Sequence, residues 1–93
     1  MILQIYSIFD SAAAAYLRPF YAQTDGEALR AFTDIATDAD HQIGKHPEDY
    51  SLYRLGTWND NKGEISPLEK ECLATAQEVV ASSRKVTPMK GVN

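Results

Sequence analysis

The chain lacks most of what a membrane-bound or catalytic reading would require. It holds one cysteine, Cys72, so no disulfide forms within it and a reducing compartment suits it. Cys72 sits at an apolar position of a predicted helix with no histidine close by, which reads as a buried structural thiol. No apolar run approaches the ~18 residues that cross a bilayer. The N-terminal run Met1 to Phe9 has no basic leader and is interrupted by Gln4 and Ser7, so it reads as a strand and not as a signal peptide. There is no phosphate-cradling glycine loop and no dinucleotide fingerprint. Basic residues are scarce too: nine Lys and Arg stand against thirteen Asp and Glu, for a net charge of −4. Gripping phosphates by charge alone needs the opposite balance. A nucleic-acid site here must be local or lean on stacking; otherwise the acidity simply serves solubility.

What remains is an ordinary globular composition in 93 residues, which is one domain. A chain this short buries only roughly 60–65% of its unfolded surface. Self-association into a homo-oligomer would bury more, and is expected.

Residues 2–9 suit a strand, with Leu3, Ile5 and Phe9 on one face and Ile2, Tyr6 and Ile8 on the other. Apolar residues on both faces place this strand centrally, or set one of its sides against a partner. Ala12 to Ala15 is a connector, too short to hold a helix alone. Tyr16 to Gln23 reads as a second strand, confined by Pro19 to an edge or a bulge. Thr24-Asp-Gly-Glu27 is a capping box, and Ala28, Leu29, Phe32, Ile35 and Ala36 form the apolar stripe of a helix over 25–37. Residues 38–49 read as a long polar loop. Tyr50 to Thr57 is the third strand, and Asn59 to Gly63 is a hairpin turn. Glu64-Ile65 is a short fourth strand. Ser66-Pro-Leu-Glu69 has the form of a second capping box, opening a helix over 67–82. Its stripe would be Leu68, Cys72, Leu73, Ala76, Val79 and Val80.

The expected fold is therefore α+β in ββαββα order: a four-stranded antiparallel sheet with two helices packed on one face. The domain would cover 1–83. The basic stretch 84–93, with Arg84, Lys85 and Lys90, reads as a mobile tail.

No catalytic constellation emerges, and no enzyme is expected. The carboxylates mostly open helices or shape turns. His41 and His46 lie near Asp38, Asp40, Glu48 and Asp49, but in a loop without metal-ligand spacing, so a solvated loop is expected and no cofactor or metal. The aromatics are the better candidates. Tyr16, Phe20, Tyr21, Tyr50, Tyr53 and Trp58 lie on or beside strands, interleaved with Arg18, Lys45, Arg54 and Lys62. Rings alternating with cations are how single-stranded nucleic acids are held, although the same rings also suit a core. If Leu52 faces the helices, Arg54 shares its side and must reach out at an edge. If Tyr53 and Leu55 face the helices, Leu52 points to the open side. The sequence leaves both arrangements open.

Three stretches carry a resemblance. They are Phe9-Asp-Ser-Ala-Ala-Ala-Ala-Tyr-Leu-Arg-Pro-Phe20, Gly26-Glu-Ala-Leu-Arg-Ala-Phe32 and His46-Pro-Glu-Asp-Tyr-Ser-Leu-Tyr-Arg-Leu-Gly56. In this order they resemble the small non-structural protein of gokushoviruses, single-stranded DNA phages of the microvirus group, over about residues 1 to 66. The resemblance implies a phage protein of the host bacterial cytoplasm, absent from the virion. It implies a role in genome replication or in the switch to packaging, with single-stranded DNA as partner. The other function class is a protein–protein adaptor that pairs its open sheet face with itself or with a replication or assembly protein, with no membrane involved.

Overall fold

The computed structural model describes residues 1–91, with side chains described through Ser83. The chain runs β1 (Ile2–Asp10), β2 (Ala15–Tyr16), β3 (Phe20–Ala22), α1 (Asp25–Ala36), α2 (Gln42–Lys45), β4 (Tyr50–Asn59), β5 (Glu64–Thr75) and α3 (Ala76–Gly91). A 3-10 turn at Pro47–Asp49 precedes β4. The class is α+β with an antiparallel sheet, as expected. Among the described residues the sheet has five strands and three α-helices accompany it, so the ββαββα order is corrected.

The strands β1 and β4 form the centre. β1 pairs on one side with β2 and β3 and on the other with β4, and β4 pairs onward with β5. Apolar residues on both faces of β1 go with this central place. Pro19 breaks the β2–β3 edge: both pieces pair with β1, and residues 17–19 bulge between them.

The helices cover one face. Tyr6, Ile8, Tyr50 and Leu52 from the sheet meet Ala28, Phe32 and Ala36 of α1, Ile43 of α2 and Ala76 of α3. Leu52 is wholly buried, which settles the alternation: Leu52 faces the helices and Tyr53 the open side. The polar loop expected at 38–49 contains α2 instead. His41 caps it, its Nδ1 accepting from the Ile43 N–H at 3.1 Å.

α1 begins where its capping box says. The Thr24 hydroxyl accepts from the Glu27 N–H at 3.2 Å. The return bond reaches one residue further back than expected, with Glu27 Oε1 accepting from the Gln23 N–H at 3.0 Å. Leu29 was expected in the core with Phe32 and is instead 36% exposed, beside a groove shared with Val79 of α3. The buried line runs 28–32–36, at i, i+4 spacing, and Leu29 lies at its margin.

The larger correction is at 66–75. The expected helix over 67–82 starts nine residues too early, because Ser66 to Thr75 is strand. The working capping box is Thr75-Ala-Gln-Glu78. The Thr75 hydroxyl accepts from the Glu78 N–H at 3.1 Å, and Glu78 Oε1 accepts from the Thr75 N–H at 3.0 Å. Pro67 lies on an edge strand, where a missing N–H costs no ladder bond. Cys72 is exposed on that strand, not buried on a helix. The backbone stays helical to Gly91, while the side chains of the basic stretch 84–93 lie outside the described residues.

Candidate functional site

Antiparallel register assigns each strand residue to a face. On the face away from the helices, β1 places Leu3, Ile5, Ser7 and Phe9. Opposite these stand Tyr16, Tyr21, Gly56, Ser51, Tyr53 and Trp58, and from β5 Ile65, Pro67 and Cys72. None of these positions is acidic. The chain's excess of carboxylate is carried elsewhere, much of it on the helical layer at Asp25, Glu27, Asp34, Asp38, Asp40, Glu48, Asp49 and Glu78. A net charge of −4 thus coexists with a sheet face whose paired positions hold no negative charge.

At one end of this face the rings of Phe9, Tyr16 and Tyr53 form a cluster. Phe9 and Tyr16 centroids lie 4.8 Å apart, and Tyr53 meets Tyr16 edge-on at 5.7 Å. The Lys70 ammonium sits 5.4 Å above the centre of the Tyr16 ring. It gets there by an irregularity of β5. A single β4 residue, Leu55, stands opposite three on β5, Leu68, Glu69 and Lys70, so this segment arches out of the ladder. The Leu17–Pro19 bulge also lies on this side. Its Leu17 carbonyl accepts from Ser7 Oγ at 2.6 Å, and Arg18 is exposed, with no ion pair among the described residues. The electrostatic influence of Cys72, which stands opposite Tyr53, raises the phenol's pKa above its usual value, with burial adding to it.

The ten residues expected to form one surface do not all meet. Tyr16, Tyr21, Tyr53 and Trp58 share the open face, with Arg18 at its edge. Lys62 lies at the tip of the β4–β5 turn. Phe20 stacks on Tyr6 beneath the sheet at 5.6 Å, and Tyr50 is core. Lys45 ends α2 on the helical side. Arg54 is spent on structure. One guanidinium nitrogen donates to Asp25 Oδ2 at 2.6 Å, and another pairs with Glu71. Sequence reading missed Phe9 and Lys70. The i, i+2 pattern of β1 already separates Phe9 from Tyr6, whereas Lys70 falls in a stretch that looks helical.

Arg54 belongs to a network on the helical side that ties β1, α1, β4 and β5 together. The Tyr6 hydroxyl donates to Asp25 Oδ1 at 2.7 Å. Burial, then this bond, then the Asp25 charge push the Tyr6 phenol well above its ordinary 10.0. The unfolded chain releases that proton near pH ~10 while the folded one keeps it, so stability falls as pH rises from there through the folded value. Tyr6→Phe is expected to remove this part of the alkaline loss. Urea midpoints for both proteins at about pH 8 and pH 11 check it, and equal losses in the two would refute it. His46, Glu48 and Asp49 bring donor atoms within 4.8 Å of one another. His46 and Glu48 are exposed and Asp49 is half-buried, at the 3-10 turn before β4, and such surface groups are common without an ion.

The residues matched by known families include all of this face. The family model described as phage ORF5 protein matches residues 3–79. The chain belongs to the phage ORF5 protein family. The match runs past the region of the earlier resemblance and takes in β5 and the start of α3, so the arched segment bearing Lys70 is part of the family's span. No curated protein and no solved structure matches the chain. This ORF5 protein is thus a phage protein, and no helix among its described residues is long and apolar enough to cross a membrane.

Proposed function

We propose that this ORF5-family protein is a non-structural phage accessory protein that binds single-stranded DNA on its open sheet face. It would act in the host cytoplasm during genome replication or the switch to packaging, as its resemblance to the gokushovirus protein implies. The observation that carries the reading is the composition of that face: Tyr16, Tyr21, Tyr53 and Trp58 with Lys70 and Arg18, and no carboxylate at its paired positions. Stacking on rings is worth ~1–3 kcal/mol per base and asks for little charge. Lys70 supports it further, because an ammonium already over a ring can turn to a phosphate when a base takes its place.

Fluorescence anisotropy with a labelled oligo-dT at two salt concentrations tests this. Tyr53→Ala and Trp58→Ala are expected to weaken binding about fivefold or more each, and Lys62→Ala less. Duplex hides its base faces and is expected to bind worse. With Arg18 and Lys70 as the two phosphate contacts, log K should fall with log salt at a slope of about −1.4. No binding at low salt, or equal binding to duplex, would discard the platform.

A second reading, a protein adaptor or homodimer, is favoured by Ile65 and Leu68, which are 62% and 44% exposed near the β5 edge. Sedimentation over a concentration series tests it: a monomer throughout would remove the homodimer.

A further inference from the structure

The spacing of the rings on the open face says what kind of strand they suit, given that the face is a single-strand platform. Tyr16 and Tyr21 flank β1 on the same side, opposite Phe9 and Ile5. Four residues of strand separate them, ~13 Å. Trp58 lies across β1, opposite Leu3. From Tyr21 it is two residues along and two strands over, ~12 Å. Bases stacked on one another repeat every ~3.4 Å along a strand. A strand that keeps its own stack therefore cannot offer bases to all three rings. Each ring must take a base that has left the stack, with the backbone pulled out between them.

We infer that the face binds an extended, unstacked pyrimidine segment of about four to five nucleotides, with bases on Tyr16, Tyr21 and Trp58. The length follows from the path. Roughly 25 Å from Tyr16 through Tyr21 to Trp58 is covered by about four steps of a strand stretched to twice the stacked repeat. The preference for pyrimidines follows from the cost of unstacking. Purine runs resist being pulled apart, and thymine runs do not, so selectivity arises from backbone flexibility and stacking strength without hydrogen bonds to base edges. Along β1, the row under the path, no side chain is free to read base edges: Leu3, Ile5 and Phe9 are apolar, and the Ser7 hydroxyl is already bonded to Leu17. The cationic groups lie at the Tyr16 end, Lys70 over the ring and Arg18 in the neighbouring bulge, which places the phosphate contacts there.

A length series of oligo-dT from two to twelve nucleotides, set beside oligo-dA of the same lengths, tests the inference by anisotropy and tryptophan quenching. Affinity is expected to rise about tenfold or more between dT2 and dT5, then change only by the number of overlapping sites. The longest dT is expected to bind at least about fivefold tighter than the dA of equal length. Tyr21→Ala, at a position 48% exposed and outside the core, should keep the fold and cut the gain between dT2 and dT5. Affinity that keeps climbing beyond eight nucleotides, or dA binding as tightly as dT, would overturn the inference and leave the platform standing. Failure to bind any of the oligonucleotides would overturn both.

Discussion

Phe32→Ala is expected to cost about 3–5 kcal/mol of folding stability. Phe32 is 1% exposed and lies midway along the buried line of α1, between Ala28 and Ala36. Its ring fills the space between α1 and the sheet, in one cluster with Tyr6, Ile8 and Leu52. The neighbours that would collapse into the space are Ala28 and Ala36 on its own helix and large residues already in contact on the sheet, so the cavity stays largely open. A 93-residue domain has about 5–14 kcal/mol in total, so the loss takes a large share. A melt followed by circular dichroism should fall by roughly 12–40 °C. Leu29→Ala on the same helix is the control. At 36% exposure it is expected to cost less than about 1.5 kcal/mol. A Phe32→Ala melt that matches wild type, or a Leu29 variant that suffers more, would mean that the buried face of α1 is misassigned.

Gly44→Ala is expected to cost about 3 kcal/mol or more, from the opposite cause. A Cβ at this position would stand 1.9 Å from the Asp38 carbonyl oxygen and 3.2 Å from that of Ile35. Both obstacles are backbone, so no side chain can turn aside. The helix α2 would have to lift away from the end of α1, and Ile43, 2% exposed, would leave the core with it. Gly63→Ala provides the comparison. Gly63 adopts φ +63 at the β4–β5 turn with nothing within 4 Å, so only the left-handed backbone is penalised, at ~1–2 kcal/mol. Urea denaturation of the two variants should rank Gly44→Ala as the more damaging. The reverse order would show that α2 is held loosely.

Much of this fold is readable from local pattern. The Thr24 hydroxyl caps α1 by the bond the sequence suggests, with the return bond of Glu27 falling one residue back on Gln23, and the 28–32–36 spacing is buried as a helix of that period requires. The two apolar faces of β1 correspond to its place between two partners. Pro19 interrupts the edge strand, as a residue without an N–H must. These features depend on neighbours a few residues away, which is the range over which backbone hydrogen bonding and side-chain period act.

The stretch 66–78 shows where that range ends. It holds two capping-box sequences, Ser66-Pro-Leu-Glu69 and Thr75-Ala-Gln-Glu78, and local chemistry favours both. Pairing with β4 from Ser51 to Asn59 decides between them, because a strand there completes the ladder of a central neighbour and a helix would leave that edge bare. The same pairing arches Lys70 onto the open face and turns Glu71 toward Arg54, so adjacent residues of one strand serve opposite sides of the sheet.

By itself the sequence determined an α+β domain, its first helix, its central strand and a set of rings and cations of the right kind. The tertiary structure alone decided which of those rings share a surface. Alternation fixes that neighbours point apart but not which side meets the helices, and Leu52 settles it by burying completely. Its choice sends Tyr50 and Arg54 beneath the sheet with it. Tyr53 goes to the other face, where the register of β1 and β4 brings it to Phe9 and Tyr16 across strands distant in sequence.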